Sequence, residues 1–548
     1  MRSIKMKEDT GSRTYNTNII FKRLFIKKVL RHDHIKFNIG FIVKKPNIRF
    51  DKEQLDLYLN NKSMKKCITL KKGVQIGCYW ISSVVMNLDM NSVFGLAMQN
   101  SIKFVYIDNE GQIVKKPLKY AFKEKTKFKS TNVLKFGRDR CCYFWQTKKN
   151  NVQLAVRNLV ETDKRSKSIK VGIAYWIARC ANKCCGISKK ILLFEKDSAR
   201  YEESASVLFE HLIDQGYKDS YFILDKDYKW KNRIEKKYRE NIIEKYSFKH
   251  FYYFFRSSTF LGTEALIHAA EVRSKNRYIL KKVNSSRNNY VFLQHGVMYM
   301  ISLDAKTRAF FKPPKVSAKG KYRVVASSEM EAKHFINYGN FDPSQVIVSG
   351  LPKFDRNLWC SDADKIAIMP TWRPWEYNEM VIDIQSSGYY QLLYKIVANI
   401  PSELMDKIMI LPHPLFMELM KTQETPLTKY LAINEKYDDL LKRVKLLITD
   451  YSSISYDAFY RGANVIFVWK DLEKCLHKYG NRAKLMLNEQ NTFGDICYDL
   501  DALKELVESN YYNGQIEKYR LNYKKIVQFC DGKNTERLIN QLKSEGII

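Results

Sequence analysis

Two histidines stand out in this chain because each directly follows a run of apolar residues that has the length of a buried strand. His295 follows residues 290–293 and precedes a glycine, and His413 lies between two prolines after residues 408–411. A histidine at a strand end titrates near neutral pH and can act as a general base. The two prolines restrict the backbone of His413, which is typical of a positioned contact. Because single histidines are often structural, neither residue defines a site alone.

Cationic side chains occupy the same kind of position in two further motifs. Arg373 ends Pro-Thr-Trp-Arg after the apolar residues 366–369, and Lys353 lies in Gly-Leu-Pro-Lys after residues 346–348. A guanidinium forms paired hydrogen bonds to phosphate oxygens, whereas an ammonium acts as a point charge beside an anion. A surface ion pair is the alternative for Arg373. Both motifs are compatible with an anionic ligand.

A hydroxyl-rich turn completes the set of polar strand ends. Asp450, Ser452 and Ser453 follow an apolar run at 445–449, and helical spacing continues through Asp457. Free backbone N–H groups, two hydroxyls and the positive end of a helix dipole suit a phosphate group. An ordinary helix cap is the alternative, since Asp and Ser are common N-cap residues.

These motifs require a scaffold that brings several strand ends together. From residue 170 onward, short apolar runs alternate with helical patterns, which predicts doubly wound parallel sheets that bind ligands at the carboxyl ends of their strands. The first set of predicted strands is 191–194, 221–224 and 290–293, with a helix at 204–215. The second set is 346–348, 366–369, 408–411, 446–449 and 465–468, followed by a mostly helical end at 501–548. Two such halves would enclose a substrate cleft.

The region before residue 166 has a different pattern. Residues 1–45 are predicted to form a basic segment, with a polar start at 1–18 and an amphipathic helix at 19–30 that either lies on an anionic membrane or packs on its own domain. Residues 46–165 are predicted to form a β-rich accessory domain with a hairpin around the turn at 108–111. The remaining predicted domains are 166–343 and 344–548.

The composition narrows the class of protein. The chain has 548 residues, of which 45% are hydrophobic, and this predicts two or three folded domains. The formal charge of +36 indicates an anionic partner, or else a codon bias toward lysine. No signal peptide and no membrane-spanning run is recognised. The 11 cysteines have no disulfide-like spacing, which favours a reducing compartment, and the group Cys180, Cys184 and Cys185 lacks further ligands at metal-binding spacing.

Taken in order, the motifs resemble those of the CDP-glycerol glycerophosphotransferase family, which includes teichoic acid polymerases and primases. The matching motifs are QHG at Gln294, SSE-x-EAKHF at Ser327, GLPKFD at Gly350, PTWR at Pro370, LPHP at Leu411 and ITDYSS at Ile448. The resemblance covers roughly residues 190–531. It implies an α/β fold of the GT-B kind, in which two Rossmann-like domains face a cleft, here preceded by the smaller β-rich N-terminal domain.

The resemblance also implies an activity. Glycerol phosphate, or ribitol phosphate, would pass from CDP-glycerol or CDP-ribitol to a hydroxyl of a membrane-linked acceptor with release of CMP, in the synthesis of a teichoic-acid-like or capsular polymer. The acceptor would be a lipid-linked polyol phosphate or glycan, and the enzyme would lie peripherally on the anionic cytoplasmic face of the cell membrane. No cofactor, no metal site and no nucleic-acid partner is predicted, and a requirement for a divalent metal is left open.

The resemblance assigns roles to the motif residues. His295 would be the catalytic base that deprotonates the acceptor hydroxyl, and His413 the second catalytic residue, acting at the donor pyrophosphate. The residues expected to bind the donor phosphates are Arg373, Ser452, Ser453, Lys353 and Thr371. Asp450 and Asp457 are expected to order the turn.

Two positions differ from the usual family pattern and leave the polyol undefined. Residues 297–300 read Val-Met-Tyr-Met where Thr and Lys often follow His-Gly, and Lys353 stands where Arg is usual. Two other functions stay open. A GT-B glycosyltransferase that uses a nucleotide sugar would share the fold but commonly has a different donor loop. A non-enzymatic polyanion binder is indicated by the charge alone and leaves the motifs unexplained.

Overall fold

The computed structural model describes residues 20–31, 33–44, 53–96, 98–107, 112–120, 133–147, 149–304, 313–356, 360–433 and 435–548. The predicted polar start at 1–18 and the predicted turn at 108–111 lie outside these residues. The chain divides into two compact units, Met1–Ser168 with Arg273–Lys281, and Ile169–Val272 with Lys282–Ile548.

The first unit is built from β-strands, in agreement with the predicted β-rich region. Its elements are β1 (Phe21–Arg31), β2 (His34–Lys44), β3 (Leu55–Leu59), β4 (Lys62–Ser63), β5 (Ile68–Leu70), β6 (Val74–Ile76), β7 (Tyr79–Asp89), α1 (Met90–Phe94), β8 (Gln99–Ile107), β9 (Ile113–Pro117), β10 (Lys119–Tyr120), β11 (Leu134–Phe136), β12 (Arg140–Gln146) and β13 (Val152–Asn158). One sheet has the order β10-β1-β2-β7-β5, with β6 also paired to β7. The other has the order β11-β12-β13-β8-β3-β4, and β9 pairs with β8 as the predicted hairpin requires.

The core of this unit lies between the two sheets. Phe21 and Phe41 of the first sheet each pack against Phe104 of the second, with ring centroids 4.5 and 4.6 Å apart. All three side chains are fully buried. The alternation of buried and exposed positions along β2 and β8 directs one apolar face of each sheet into this core.

The amphipathic helix predicted for residues 19–30 is wrong, because residues 21–30 belong to the strand β1. It pairs antiparallel with β2 from Phe21 opposite Val43 to Arg31 opposite His34, and a β-bulge lies between Arg23 and Phe25. A bulge shifts the two-residue alternation by one position, so a strand that contains one can carry apolar spacing that resembles a helix. The adjacent strand β2, with its buried apolar face, supplies the hydrogen-bond partner that decides between the two structures.

The second unit contains two parallel sheets. The first sheet and its helices comprise α2 (Arg165–Cys185), which begins at the end of the first unit, β14 (Ser188–Phe194), α3 (Ser204–Asp214), β15 (Ser220–Leu224), α4 (Lys236–Arg239), β16 (Ile242–Glu244), α5 (Phe248–Arg256), β17 (Ser257–Gly262), β18 (Asn289–Phe292), β19 (Tyr322–Ala326), α7 (Glu329–Gly339) and β20 (Val346–Val348). Between β17 and β18 lies α6 (Arg277–Val283), most of which belongs to the first unit. The strand order is β16-β15-β14-β17-β18-β19-β20. The predicted strands at 191–194, 221–224 and 290–293 and the helix at 204–215 are confirmed within one or two residues.

The second parallel sheet follows in the chain. Its elements are β21 (Lys365–Ile368), α8 (Tyr377–Ile382), α9 (Gly388–Ala398), β22 (Ile408–Ile410), α10 (Pro414–Thr422), α11 (Tyr437–Leu441), β23 (Val444–Thr449), α12 (Ile454–Tyr460), β24 (Asn464–Val468), α13 (Leu472–Tyr479), β25 (Asp495–Cys497), α14 (Leu503–Tyr512), α15 (Glu517–Ile526) and α16 (Asn534–Ser544). The order is β22-β21-β23-β24-β25. Strands predicted at 366–369, 408–411, 446–449 and 465–468 are confirmed, and the α/β architecture with them.

The assignment of residues 346–348 to the second set of strands is wrong. These residues form β20, which pairs with β19 at the edge of the first sheet. A three-residue apolar strand carries no local information about which sheet it joins, because only its neighbour's hydrogen-bonding edge decides that.

The C-terminal helices return to the first sheet. The Ser327 hydroxyl after β19 donates to the carbonyl of Ile526 at 2.6 Å, and Arg323 Nε lies 2.6 Å from Glu545 Oε2. The end of the chain therefore ties the two parallel sheets together. In the part of the chain that the structure describes, none of the helices combines the length and the apolar character needed to cross a membrane.

Candidate active site

His295 lies in a loop after β18 that a single buried carboxylate holds in shape. Gln294, the residue before it, has φ +61°, a backbone conformation that non-glycine residues seldom adopt. Glu331 on α7 accepts hydrogen bonds from the Gln294 side chain at 3.0 Å and from the backbone N–H of Met298 and of Ser327, both at 2.7 Å. The QHG and SSE-x-EAKHF motifs are thus two parts of one structure that positions His295.

Charged groups of both signs surround the His295 ring, which is about half exposed. Its Nδ1 lies 3.8 Å from Glu264 Oε1. Burial lowers the pKa of His295 below its ordinary value; Glu264 opposes this shift, and the positive charges of Lys353 and Lys196 add to it. The imidazole is therefore neutral at pH 7, which is the protonation state that a general base needs.

The ammonium group of Lys353 has three acceptor atoms of the protein around it. Its Nζ lies 2.7 and 2.9 Å from the two carboxylate oxygens of Asp457 and donates to the carbonyl of His295 at 3.2 Å. These three acceptors match the three N–H donors of an ammonium group. Because Lys353 follows β20 and Asp457 lies on α12, this buried ion pair joins the loops of the two parallel sheets beneath His295.

The rest of the GLPKFD motif has a structural role. Gly350 has φ +79°, and a Cβ there would lie 1.8 Å from Asn534 Oδ1, so only glycine fits. The Asp355 carboxylate accepts the backbone N–H groups of Asn534 at 3.0 Å and Thr535 at 2.7 Å. The motif thus binds the backbone N–H groups at the first turn of α16.

The Asp450 carboxylate binds several groups of the turn after β23. Asp450 Oδ1 accepts the backbone N–H of Thr371 at 2.7 Å, its hydroxyl at 2.6 Å and the N–H of Tyr451 at 2.5 Å. Burial raises the pKa of Asp450, and the hydrogen bonds from Thr371 oppose that shift. Thr371 therefore reaches the turn, but its hydroxyl is occupied by Asp450.

Ser452 and Ser453 remain half-buried on the surface of this turn. Ser453 is the N-cap residue of α12, yet its side chain makes no capping hydrogen bond. The backbone of Gly296 lies directly beside it, since a Cβ on Gly296 would be 3.0 Å from Ser453 Oγ. The loop that carries His295 is therefore in contact with the hydroxyl-rich turn of the other sheet.

The residues after His-Gly strengthen this contact. Tyr456 on α12 donates its hydroxyl to the carbonyl of Tyr299 at 2.5 Å, and the N–H of Met486 donates to the carbonyl of Met300 at 2.9 Å. Val297, Tyr299 and Met300 are buried. The residues that replace the usual Thr and Lys thus pack against the second sheet's elements.

Arg373 lies beneath the turn among three carboxylates. Its guanidinium is 2.8 Å from Asp471, 3.9 Å from Asp450 and 4.0 Å from Glu376, and the side chain is buried. Burial works against its charge, but the carboxylates, Asp471 first, outweigh it and raise the pKa of Arg373. The positive charge of Arg373 is therefore balanced by carboxylates of the protein.

His413 lies after β22 with its ring stacked on Trp372, at a centroid distance of 4.8 Å and an interplanar angle of 16°. Its carbonyl accepts the N–H groups of Phe416 and Met417, which fixes it at the start of α10. Burial lowers the pKa of His413, and the positive charges of Lys196 and Arg200 lower it further.

Three charged residues at the site were not singled out from the sequence: Lys196, Arg200 and Glu264. Lys196 and Arg200 lie in the loop after β14, where Asp197 and Ser198 have φ of +55° and +50°, and Lys196 acts electrostatically on both histidines. A charged residue within two positions of the end of a predicted strand is the signal that identifies Lys196. Glu264 follows β17, a strand that the sequence pattern did not predict.

The predicted site residues thus form two groups. The loop that carries His295 touches the Ser452–Ser453 turn at Gly296, and Lys196 acts electrostatically on both His295 and His413. Lys353, Asp457, Thr371, Asp450 and Arg373 are engaged with one another or with neighbouring carboxylates. Among the residues that the structure describes, no cluster of three or more His, Cys, Asp or Glu side chains is arranged to hold a metal ion.

Comparisons with known proteins agree with these motifs. Residues 178–544 match the family model described as CDP-Glycerol:Poly(glycerophosphate) glycerophosphotransferase. The minor teichoic acid biosynthesis protein GgaB of Bacillus subtilis (strain 168) is 27% identical over 382 residues, which are 65% of this chain and 40% of GgaB. The chain thus spans about two-fifths of the length of that curated relative.

Solved structures show weaker likeness. The wall teichoic acid polymerase TagF aligns with a TM-score of 0.46 and 16% identity over 70% of this chain and 94% of TagF. A UDP-GlcNAc 2-epimerase from Neisseria meningitidis aligns with a TM-score of 0.36 and 10% identity over 65% of this chain and all of that chain. On the family match, which covers well over half of its residues, this chain belongs to the CDP-glycerol:poly(glycerophosphate) glycerophosphotransferase family.

Proposed function

We propose that this protein transfers glycerol phosphate, or ribitol phosphate, from a CDP-activated donor to a hydroxyl of a lipid-linked acceptor and releases CMP. The product would extend a teichoic-acid-like or capsular polymer. The observation that carries the proposal is the contact between the His295 loop and the Ser452–Ser453 turn, because it supports a site that the neutral imidazole of His295 and the uncapped hydroxyl of Ser453 share. Family membership supplies the chemical class.

In this reaction His295 takes the proton from the acceptor hydroxyl. The acceptor oxygen forms a bond to the phosphorus that carries the polyol, and the bond from that phosphorus to the bridging oxygen of the pyrophosphate breaks. CMP leaves with the electron pair. Such transfers depend on positioning and on stabilising charge on the phosphoryl oxygens. Because the His295 imidazole is neutral at pH 7, it can accept this proton.

We assign the donor phosphates to His413, Ser452 and Ser453. The hydroxyl of Ser453 is not used for capping, and the ring of His413 is held in place by Trp372. The contacts of Lys353, Thr371 and Arg373 favour a supporting role, since each is already bound to a carboxylate. The carboxylate bound to Thr371 is that of Asp450, and the carboxylate bound to Lys353 is that of Asp457.

We infer a GT-B arrangement for the second unit, with one Rossmann-like half on β14–β20 and the other on β21–β25. The main support is that His295, His413 and Ser452 all follow the ends of parallel strands, where such sheets bind ligands. The boundary predicted after residue 343 would then move beyond β20, because that strand belongs to the first sheet.

We further propose that α2 binds the anionic surface of the membrane on which the acceptor is anchored. Ile169, Ile173, Trp176 and Ile177 share one helix face and are each about half exposed, whereas Val171, Ala174 and Ala178 on the opposite face are buried. Basic residues flank the exposed face: Arg165, Lys170, Arg179 and Lys183. An exposed apolar stripe with basic borders is typical of a helix that lies in a lipid interface.

The activity is tested by incubating the protein with CDP-glycerol or CDP-ribitol and a lipid-linked polyol phosphate, with CMP as the readout. We expect CMP from one of the two donors and a longer acceptor by mass spectrometry. Release of nucleotide from a UDP-sugar, with none from either CDP-polyol, would assign the chain to nucleotide-sugar transfer.

The membrane proposal is tested by flotation with vesicles that contain phosphatidylglycerol. The double variant Ile173→Ser with Trp176→Ser is expected to bind at least tenfold less tightly. The control is Ile382→Ser, which removes a more exposed apolar side chain elsewhere on the same unit. Equal binding by wild type and the double variant would remove α2 from the membrane contact.

A further inference from the structure

We propose that Glu264 is a positioning residue that orients His295 and stabilises its protonated form. Its Oε1 lies 3.8 Å from His295 Nδ1, and the side chain is only 21% exposed. The role of His295 as the base rests on the function proposed above. The effect of Glu264 on the His295 ring is a property of the resting protein and can be measured without turnover.

Glu264 is held in place from two directions. The Tyr290 hydroxyl on the neighbouring strand β18 donates to its backbone carbonyl. On the far side of its carboxylate, the His268 ring lies between two acidic groups, with Nε2 4.0 Å from Glu264 Oε2 and Nδ1 3.2 Å from Asp197 Oδ1. The result is an ordered series of alternating acid and imidazole groups that ends at His295.

The charges around His295 also favour this role for Glu264. The charged groups that face His295 are Glu264 from the loop after β17, Lys353 from the turn after β20 and Lys196 from the loop after β14; the Thr263 backbone also bonds the ring. Two of these groups are cations, which oppose the positive charge that His295 acquires when it takes a proton. Glu264 is the anion of the set, so it is the group that favours the imidazolium.

The ion pairs of Glu264 agree with this role. In the described part of the chain, its ion-pair partners within 4 Å are the two imidazoles and include no lysine or arginine. Burial raises the pKa of the neighbouring acid Glu203, and the negative charge of Glu264 adds to that shift. A mostly buried carboxylate beside another acid is costly for folding, which is typical of a group placed for function.

The test compares wild type with Glu264→Gln, which removes the charge and keeps the shape. His295 is titrated by NMR in the resting protein, and kcat and KM are measured from pH 5 to 9. We expect the pKa of His295 to fall in the variant, so that the acid limb of kcat moves to lower pH. At the pH optimum we expect kcat to fall at least tenfold with little change in the KM for the CDP donor, because the ring is less well aligned.

Two further variants separate positioning from folding. Glu264→Asp keeps the charge on a shorter side chain and is expected to recover part of kcat and most of the His295 pKa. Glu202→Gln alters another carboxylate, which accepts a hydrogen bond from the Tyr228 hydroxyl at 3.3 Å, and it is expected to change neither quantity. Thermal melts verify that each variant is folded.

The proposal is overturned if Glu264→Gln leaves the pKa of His295 unchanged, or if Glu264→Asp behaves like Glu264→Gln. A wild-type protein that turns over no CDP-polyol would contradict the proposed function. The NMR titration would still decide whether Glu264 controls His295, so the two failures are distinguishable.

Discussion

Lys353 and Asp457 form a buried ion pair, with Nζ 2.7 Å from Oδ1, between a turn of the first parallel sheet and a helix of the second. The Lys353 ammonium also donates a hydrogen bond to the backbone carbonyl of His295. One lysine thus connects the His295 loop, its own loop and the helix that follows the Ser452–Ser453 turn.

Removing one member of this pair should destabilise the second unit. In Lys353→Met the Asp457 carboxylate stays buried without its partner, and the free energy of unfolding should fall by about 3 kcal/mol. Lys353→Arg should retain most of the stability, because a guanidinium also pairs with a carboxylate. Denaturant unfolding measures both.

The matched control is Arg520→Gln, which breaks an exposed ion pair with Glu517 and should cost less than about 1 kcal/mol. If Lys353→Met is as stable as wild type but has a raised KM for the donor, then Lys353 binds the donor phosphate instead of supporting the site.

The two histidines should fail in different ways. His295→Ala removes the proposed base and should lower kcat by about 10²- to 10⁴-fold while leaving donor binding intact. His413→Ala removes a proposed contact with the donor phosphates and should also weaken donor binding by roughly tenfold, which is about 1.4 kcal/mol. CMP release and calorimetric titration with the CDP-polyol separate the two effects. The exposed His211→Ala should behave as wild type, and near-normal turnover by either site variant would remove that residue from the mechanism.

A side chain at Gly296 should disturb the contact between the two loops. The Cβ of Gly296→Ala would lie 3.0 Å from Ser453 Oγ and 3.6 Å from Ser453 Cβ, so the Ser453 side chain must move by a few tenths of an ångström. We expect kcat to fall about tenfold, because small displacements at a transfer site are costly, with little change in Tm. Gly514→Ala is the control, since nothing lies within 4 Å of the added carbon. Equal kcat values for both variants would show that the two loops do not need to touch.

Stability should fall below neutral pH because of a buried histidine outside the site. His250 on α5 is fully buried, and burial lowers its pKa to about 4. The unfolded chain, with a pKa near 6.5, then binds the proton more tightly than the folded protein, so stability is complete above pH 6.5 and is lost as the pH falls toward 4.

The loss attributable to His250 is at most about 3 kcal/mol. In His250→Gln, which cannot titrate, the free energy of unfolding should depend less steeply on pH between 6.5 and 4, as measured by urea unfolding across that range. Parallel slopes for the variant and wild type would exclude His250 as the source.

Local patterns were sufficient to predict most elements of the second unit. The strands that precede His295, Arg373, His413 and Asp450 were each placed within one or two residues. Their apolar runs are buried on both faces of a sheet, so residues such as Leu447 and Ile448 enter different cores, and no polar residue interrupts the pattern.

Long-range partners explain the errors. Residues 19–30 have helical apolar spacing, but β2 offers them a sheet edge, and residues 346–348 join the sheet of β19. Glu264 was not identified because it follows a strand that begins with Ser-Ser-Thr and resembles a loop in sequence.

The sequence by itself determined which polar residues follow strands and which turns carry hydroxyls, because strand period and turn chemistry are local properties. Only the tertiary structure decided which of those residues lie beside a charged partner of the protein. Lys353 meets Asp457 across 104 positions of the chain, and Arg373 is enclosed by three carboxylates, whereas Ser453 keeps an uncommitted hydroxyl beside the His295 loop. A buried charged side chain pairs with an opposite charge that lies near it in space. The packing of the two sheets determines which group that is.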